Sequence, residues 1–195
     1  MTKQRCAWCG DDPLYVAYHD TEWGVPEYDD KTLFEFLLLE TFQAGLSWIT
    51  ILRKRENFRE AFDGFDYKKI TNYDQKKIGS LLENAGIIRN KLKVNSAVTN
   101  AQAFIKTQEE FGSFSKYIWA FVDGKPIQNE LKSLEGAPAN TPLSDSISKD
   151  LKKRGFKFVG STVVYAYMQA TGMVNDHVIS CFRYQEIKEE VSKPA

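Results

Sequence analysis

The sequence predicts an all-α fold on three observations. Apolar residues recur at helical spacing through most of the chain, and polar caps and glycine stops bracket the periodic segments. No run alternates apolar and polar residues convincingly enough for a half-buried strand. The acidic pair Asp29 and Asp30 suits a helix start, and Leu33, Phe36 and Leu37 continue it towards Glu40 and Phe42, giving a helix over about 30–43. After the QAGLSW turn, Ile49, Leu52 and Phe58 extend a second helix over about 46–63. Asp74 offers a side-chain acceptor to free N–H groups and caps a helix through Ile78, Leu81 and Leu82 that stops at Gly86.

The longest periodic segment is 90–111, with Leu92, Val94, Ala97, Val98, Ala101 and Phe104 on its apolar positions. Further helices begin at Ser113 and at Ser144 or Asp145, the latter ending at Arg154 and Gly155. The segment GFKFVG, 155–160, is a tight glycine-bounded link into a helix over 161–171. No internal repeat or low-complexity tract interrupts the chain. The only Gly/Pro-rich connector, 136–142, joins two packed helical lobes of one domain over 1–195.

Composition narrows the class. A chain of 195 residues, 43% hydrophobic and 27% charged, folds as an ordinary globular domain and not as a disordered one. No stretch reaches the roughly 18 apolar residues of a membrane span, and the N-terminus has no signal-like run, so the expectation is a cytoplasmic protein with no membrane contact. Three cysteines, an odd number, favour free thiols or thiolate metal ligands over a disulfide framework. Lys plus Arg and Asp plus Glu balance at 26 each, which by itself argues against a nucleic-acid partner. Two local clusters depart from that balance: Lys152, Lys153, Arg154 and Lys157 around Gly155, and Arg53, Lys54 and Arg55. Such runs are ordinarily solvated faces.

Two constellations carry chemistry. The only histidines are His19 and His177, and the cysteines are Cys6, Cys9 and Cys181. His177 and Cys181 are four apart in a segment that reads as helix, the spacing of a ligand pair on one face, and Cys6, Cys9 and His19 supply further donors from the other end of the chain. A Cys2His2 site would clamp the termini and leave no open coordination position; the bland alternative is a helix-end histidine and a small core cysteine. The second constellation is Glu40, which ends the apolar run LFEFLLLE and is either an exposed position on an amphipathic helix or a pocket carboxylate. Trp8, Tyr15, Tyr18, Trp23, Phe42 and Trp48 crowd the first 48 residues. Rings at this density usually form core, and they are also what sandwiches a planar ligand.

At this point the segments RCAWC, DPLYVAYHDTEWGVP, LLETFQAGLSWITILRKRENFREAF, AGIIRNKLKV, KKRGFKFVGSTVVYAYMQATG and NDHV can be placed together. In that order they resemble the DNA-3-methyladenine glycosylase I family, from about residue 5 to about residue 183. The resemblance implies a helix-hairpin-helix glycosylase fold with one structural zinc per chain, held by Cys6, His19, His177 and Cys181, while Cys-x-x-Cys spacing would also suit Cys9. It implies that Glu40 hydrogen-bonds the adenine edge, that Trp48 stacks on the extruded base, and that Trp8, Tyr15, Tyr18 and Trp23 line the pocket.

Gly45 and Leu46 match the loop that fills the space left by the flipped nucleotide. Gly155, Lys157 and Gly160 lie in GFKFVG, which resembles the hairpin that meets a DNA phosphate in that family. The implied partner is double-stranded DNA containing 3-methyladenine, with the free base as product and a monomer as the working form.

The chain departs from the wider helix-hairpin-helix pattern after the hairpin. Where that superfamily usually has an aspartate two residues before a histidine, aligning on His177 puts Asn175. With no obvious nucleophilic lysine in the hairpin, the expectation is a monofunctional enzyme that uses water and performs no lyase step. A non-catalytic zinc-stabilised DNA-binding module is the competing reading, and it leaves Glu40 among the aromatics without a role. A zinc hydrolase would need an open metal position.

Overall fold

The computed structural model describes residues 3–43, 45–133, 135 and 137–192. Its centre is helix α2, Asp30–Gln43, which follows α1, Pro13–Thr21. Every α2 residue from Leu33 to Phe42 is buried, including Glu35, Glu40 and Thr41. A helix apolar nearly all round has no solvent face to offer, so it becomes the post around which others pack. Around it sit α3, Trp48–Ala61, α6, Lys91–Phe111, α7, Phe114–Trp119, and α9, Ser161–Ala170. The shorter α4, Tyr67–Ile70, and α5, Gln75–Glu83, cover one side of α6. Helix α8, Pro142–Lys153, packs on α9 through the turn 154–160, and α10, Phe182–Ser192, closes the chain.

Local chemistry explains most boundaries. Asp74 accepts from Lys77 N, Asn90 from Leu92 N and Lys93 N, and Ser113 from Lys116 N, each cap satisfying free first-turn donors. Asp12 does the same for Leu14 and Tyr15 ahead of Pro13, in a helix that periodicity did not mark. Helix α8 starts earlier than Ser144. Thr141 is the cap and Ser144 its reciprocal partner, a capping box with serine in the place where Glu or Gln gives the usual signal. Helix α3 is shorter than expected at both ends: extended Ser47 precedes its start, and Gly64 in the left-handed region at φ 67° opens a turn after its end.

Two expectations are corrected. The chain contains a short parallel pair, Ile127–Gln128 (β1) with Val174–Asn175 (β2). His177 and Cys181 accordingly lie not on a helix but in the turn between β2 and α10, where Cys181 N donates to Val178 O. Pairing with β1 holds the approach to His177 extended. The expected connector at 136–142 lies within the described residues except for Gly136.

One close approach fixes the site. Gly172 adopts φ 70°, and a Cβ there would sit 2.4 Å from the carbonyl carbon of Val25, so only glycine lets the α1–α2 segment lie against the end of α9. Gly24 N donates to Gln169 O and Glu27 N to Thr171 O across that contact. Phe182 N donates to Gln4 O and joins the two ends of the described chain.

Candidate functional site

A cavity of about 230 Å³ opens between α1, α2 and α9, lined by Trp8, Tyr15, Tyr18, Trp23, Glu40, Gln43, Trp48, Ala166 and Gln169. Five of the six sequence-predicted rings therefore meet, while Phe42 packs in the core against Phe58 and Phe62. Trp8 contacts Tyr15 at 4.8 Å and Trp23 at 5.0 Å between ring centroids, and Tyr18 contacts Trp48 at 5.5 Å. The indole N–H groups of Trp8 and Trp48 are buried without an acceptor. Buried donors are normally satisfied, so these two leave the cavity wall with donors open to an acceptor.

Glu40 is 3% exposed, which excludes the exposed amphipathic position. Among the described residues nothing pairs with its carboxyl, and burial pushes its pKa up to about 8, so in the empty cavity it is largely protonated at neutral pH. A cation brought beside it would favour the ionised form again. Pocket residues that sequence reasoning missed are Gln43, Ala166 and Gln169. Gln169 and Ala166 are three apart on α9, and no local pattern distinguishes that cavity-facing stripe from core.

Cys6, His19, His177 and Cys181 form a second centre. All four are buried, and their ligand atoms lie within 4.8 Å of one another. Cys6 Sγ is 3.5 Å from His177 Nδ1, and Cys181 Sγ is 3.5 Å from His19 Nε2 and 3.6 Å from His177 Nδ1. A tetrahedral ion with bonds of about 2.3 Å to sulfur and about 2.0–2.1 Å to nitrogen has sulfur–nitrogen edges of roughly 3.5 Å, so the donors fit a small cation. Both imidazoles are oriented from behind: His19 Nδ1 donates to Asp20, itself held by Arg5, and His177 Nε2 donates to Trp23 O. Cys6 S–H donation holds the Cys181 thiol well down, and the same sharing pushes Cys6 up. Cys9 stands apart, with Sγ turned to Cys6 O at 3.2 Å and to Gly10 O.

The turn between α8 and α9 is anchored by buried Phe156 and Val159, by Ser148 Oγ donating to Val159 O, and by Asn100, whose Oδ1 accepts from Lys157 N. Gly155 sits at φ 98° and Phe158 at φ 57°, the latter 38% exposed. Lys152, Lys153 and Lys157 are exposed. Arg154 is not a free member of that basic cluster, because it binds Asp150 and Glu110 at 2.7 Å each.

The 53–55 cluster dissolves further. Arg53 pairs with Asp12, Lys54 donates to Ala85 O and Gly86 O, and buried Arg55 is held by Glu22 and Glu35. Gly45 at φ 85° and Leu46, 38% exposed, lie in the loop between the cavity residues Gln43 and Trp48, tied back by Gln43 Nε2 donating to Leu46 O. Asn175, the position aligned with the superfamily aspartate, is buried and donates to Gln128 and to Tyr184 O, outside the cavity wall.

Comparison with known proteins places the chain in a family. The family model described as methyladenine glycosylase matches residues 8–184. The DNA-3-methyladenine glycosylase 1 of Escherichia coli (strain K12) is 48% identical over 181 residues, covering 93% of this chain and 97% of that protein. A crystal structure of 3-methyladenine DNA glycosylase I superposes with a TM-score of 0.88 at 51% identity, covering 92% of this chain and 98% of that one. A variant of 3-methyladenine DNA glycosylase I in complex with 3-methyladenine gives 0.89 at 37% identity, covering 91% of this chain and 96% of that chain. With the family match running from the aromatic wall at Trp8 to Tyr184, this chain belongs to the methyladenine glycosylase family.

Proposed function

We propose that this protein removes 3-methyladenine from alkylated double-stranded DNA by flipping the nucleotide and hydrolysing its N-glycosidic bond, releasing the free base with no lyase step. The observation that carries this reading is Glu40: a buried carboxyl without a partner, in the wall of an aromatic cavity sized for one flipped base. Methylation at N3 makes the attached base cationic and already a good leaving group, so the site needs recognition more than general-acid strength. A cationic base re-ionises Glu40 and stacks on Trp48, with cation–π contacts worth roughly 0.5 to 2 kcal/mol. Neutral adenine offers no charge to offset ionising Glu40, which protects normal DNA. Trp8, Tyr15, Tyr18 and Trp23 form the remaining walls.

Among the described residues no lysine lines the cavity, which supports water as nucleophile. Helices α8 and α9 act as a helix-hairpin-helix element, with Gly155, Lys157 and Gly160 at a phosphate, and Gly45 and Leu46 filling the space of the extruded nucleotide. Gly160 caps α9 without a side-chain acceptor, which leaves first-turn N–H groups for an anion. Zinc is the ion that suits two thiolates and two imidazoles; bound there, it supplies folding energy and ties residues near 6–19 to 177–181. We read the chain as one domain of two helical lobes, acting as a cytoplasmic monomer; among the described residues no helix is long and apolar enough to cross a membrane. Chromatography of the bases released from methylated DNA tests the function: free 3-methyladenine is expected, and its absence overturns the reading.

A further inference from the structure

We infer that Gln169, locked by Asp176, is a specificity-determining acceptor that requires a hydrogen-bond donor at the 6-position of the bound base. The inference rests on the reading of the cavity as a base pocket. Asp176 is fully buried and takes three donors: Tyr165 Oη at 2.7 Å, Gln169 Nε2 at 2.8 Å and Asn129 Nδ2 at 2.6 Å. A carboxylate only accepts, so the Gln169 amide must turn its NH2 to Asp176 and present Oε1 on its other side. Among the described residues nothing donates to that Oε1, and Gln169 is one of the residues that line the cavity.

The other cavity glutamine is less firmly set. Gln43 Nε2 is tied to the carbonyl of exposed Leu46, a loop residue, whereas Gln169 is tied to a buried carboxylate on a network that reaches back to α9 and the segment after β1. The backbone of Gln169 is fixed as well, its carbonyl accepting from Gly24 N. An acceptor held this rigidly cannot turn to donate, so a base with a carbonyl in place of the 6-amino group meets lone pair against lone pair. The exocyclic amine of an adenine carries two hydrogens and can serve both Glu40 and Gln169. The orphaned indole donor of Trp8 suits a ring nitrogen of the same base.

Affinities of free 3-methyladenine and free 3-methylhypoxanthine, measured by tryptophan fluorescence, test this. The parental protein is expected to favour the 6-amino base by about tenfold or more, and Gln169→Met is expected to narrow that ratio by about fivefold. Asp176→Asn, which frees the amide to flip, narrows it in the same direction. Tyr165→Phe removes a different donor from Asp176; it is expected to lower thermal stability and leave the ratio unchanged, which separates positioning from damage to the network. Metal content and melting temperature are followed for each variant. A ratio unchanged in Gln169→Met, or equal losses for both bases, overturns the inference. A parental protein that binds 3-methyladenine without such a variant effect leaves the pocket reading standing, whereas one that binds neither base overturns that reading too.

Discussion

Trp23 and His177 join the two centres of this protein. The Trp23 ring lines the base cavity, and its backbone carbonyl accepts from His177 Nε2 at 2.9 Å, which leaves Nδ1 facing Cys6 and Cys181. The rings of Trp23 and His177 also meet edge to face at 4.7 Å. A ligand held on one side therefore braces a pocket wall on the other.

Removal of the ion is expected to weaken base binding as well as folding. Metal analysis is expected to find one zinc per chain, and Cys181→Ala should abolish it, lower the melting temperature by more than about 5 °C, and reduce 3-methyladenine affinity. Cys9→Ala should retain the zinc, because Cys9 Sγ is turned to backbone carbonyls. Full zinc content in Cys181→Ala, or its loss in Cys9→Ala, would reassign the ligand set.

Activity should carry the titration of Glu40. With the free-enzyme carboxyl at about 8 and the ionised form preferred beside a cationic base, kcat/KM rises with pH through about 8, since that ratio reports groups of the free enzyme. The limb in kcat lies lower, because the bound cation favours ionisation. Glu40→Gln should reduce excision and flatten both limbs; a limb that persists in Glu40→Gln belongs to another group.

Stability moves the opposite way. A carboxyl whose pKa rises from 4.5 unfolded to about 8 folded favours the folded state below about 4.5; that contribution declines above 4.5 and is gone once pH passes about 8. Melting temperature should therefore fall relative to Glu40→Gln between roughly pH 5 and pH 9. Parallel profiles for the two proteins would mean that Glu40 does not titrate in a dry site.

Trp48→Ala is expected to weaken base binding by roughly 1 to 3 kcal/mol, the range for a lost base–aromatic stack, with zinc content unchanged. Titration with free 3-methyladenine reads this without DNA contacts. An unchanged affinity would remove Trp48 from the base-stacking role.

Salt dependence should distinguish neighbouring basic residues. Neutralising exposed Lys152 and Lys153 together should reduce the slope of log K against log salt by up to about 2. Arg154→Gln should leave the slope unchanged, because Arg154 is already paired with Asp150 and Glu110. Electrophoretic mobility shifts across a salt series provide the measurement, and a slope sensitive only to Arg154 would relocate the DNA track.

Much of this protein was legible in its sequence because the information is local or carried by long motifs. Asp74, Asn90 and Ser113 mark helix starts through one side-chain acceptor each, and the run into Glu40 marks a helix with no face for water. The motif resemblance singled out five aromatics and a carboxylate that line one cavity, and four candidate metal ligands that lie together. Tertiary structure decided what spacing misreads. His177 and Cys181 meet across a turn and not along a helix, because β2 pairs with a strand 47 residues earlier. It also decided which charges are free: Arg154 and Arg55 read as members of basic runs, yet acidic partners distant in sequence neutralise them. Gln169 stayed invisible for the same reason. A glutamine becomes a fixed acceptor only when its amide is held, and the aspartate that holds it comes from beyond the end of its helix, brought back by the fold.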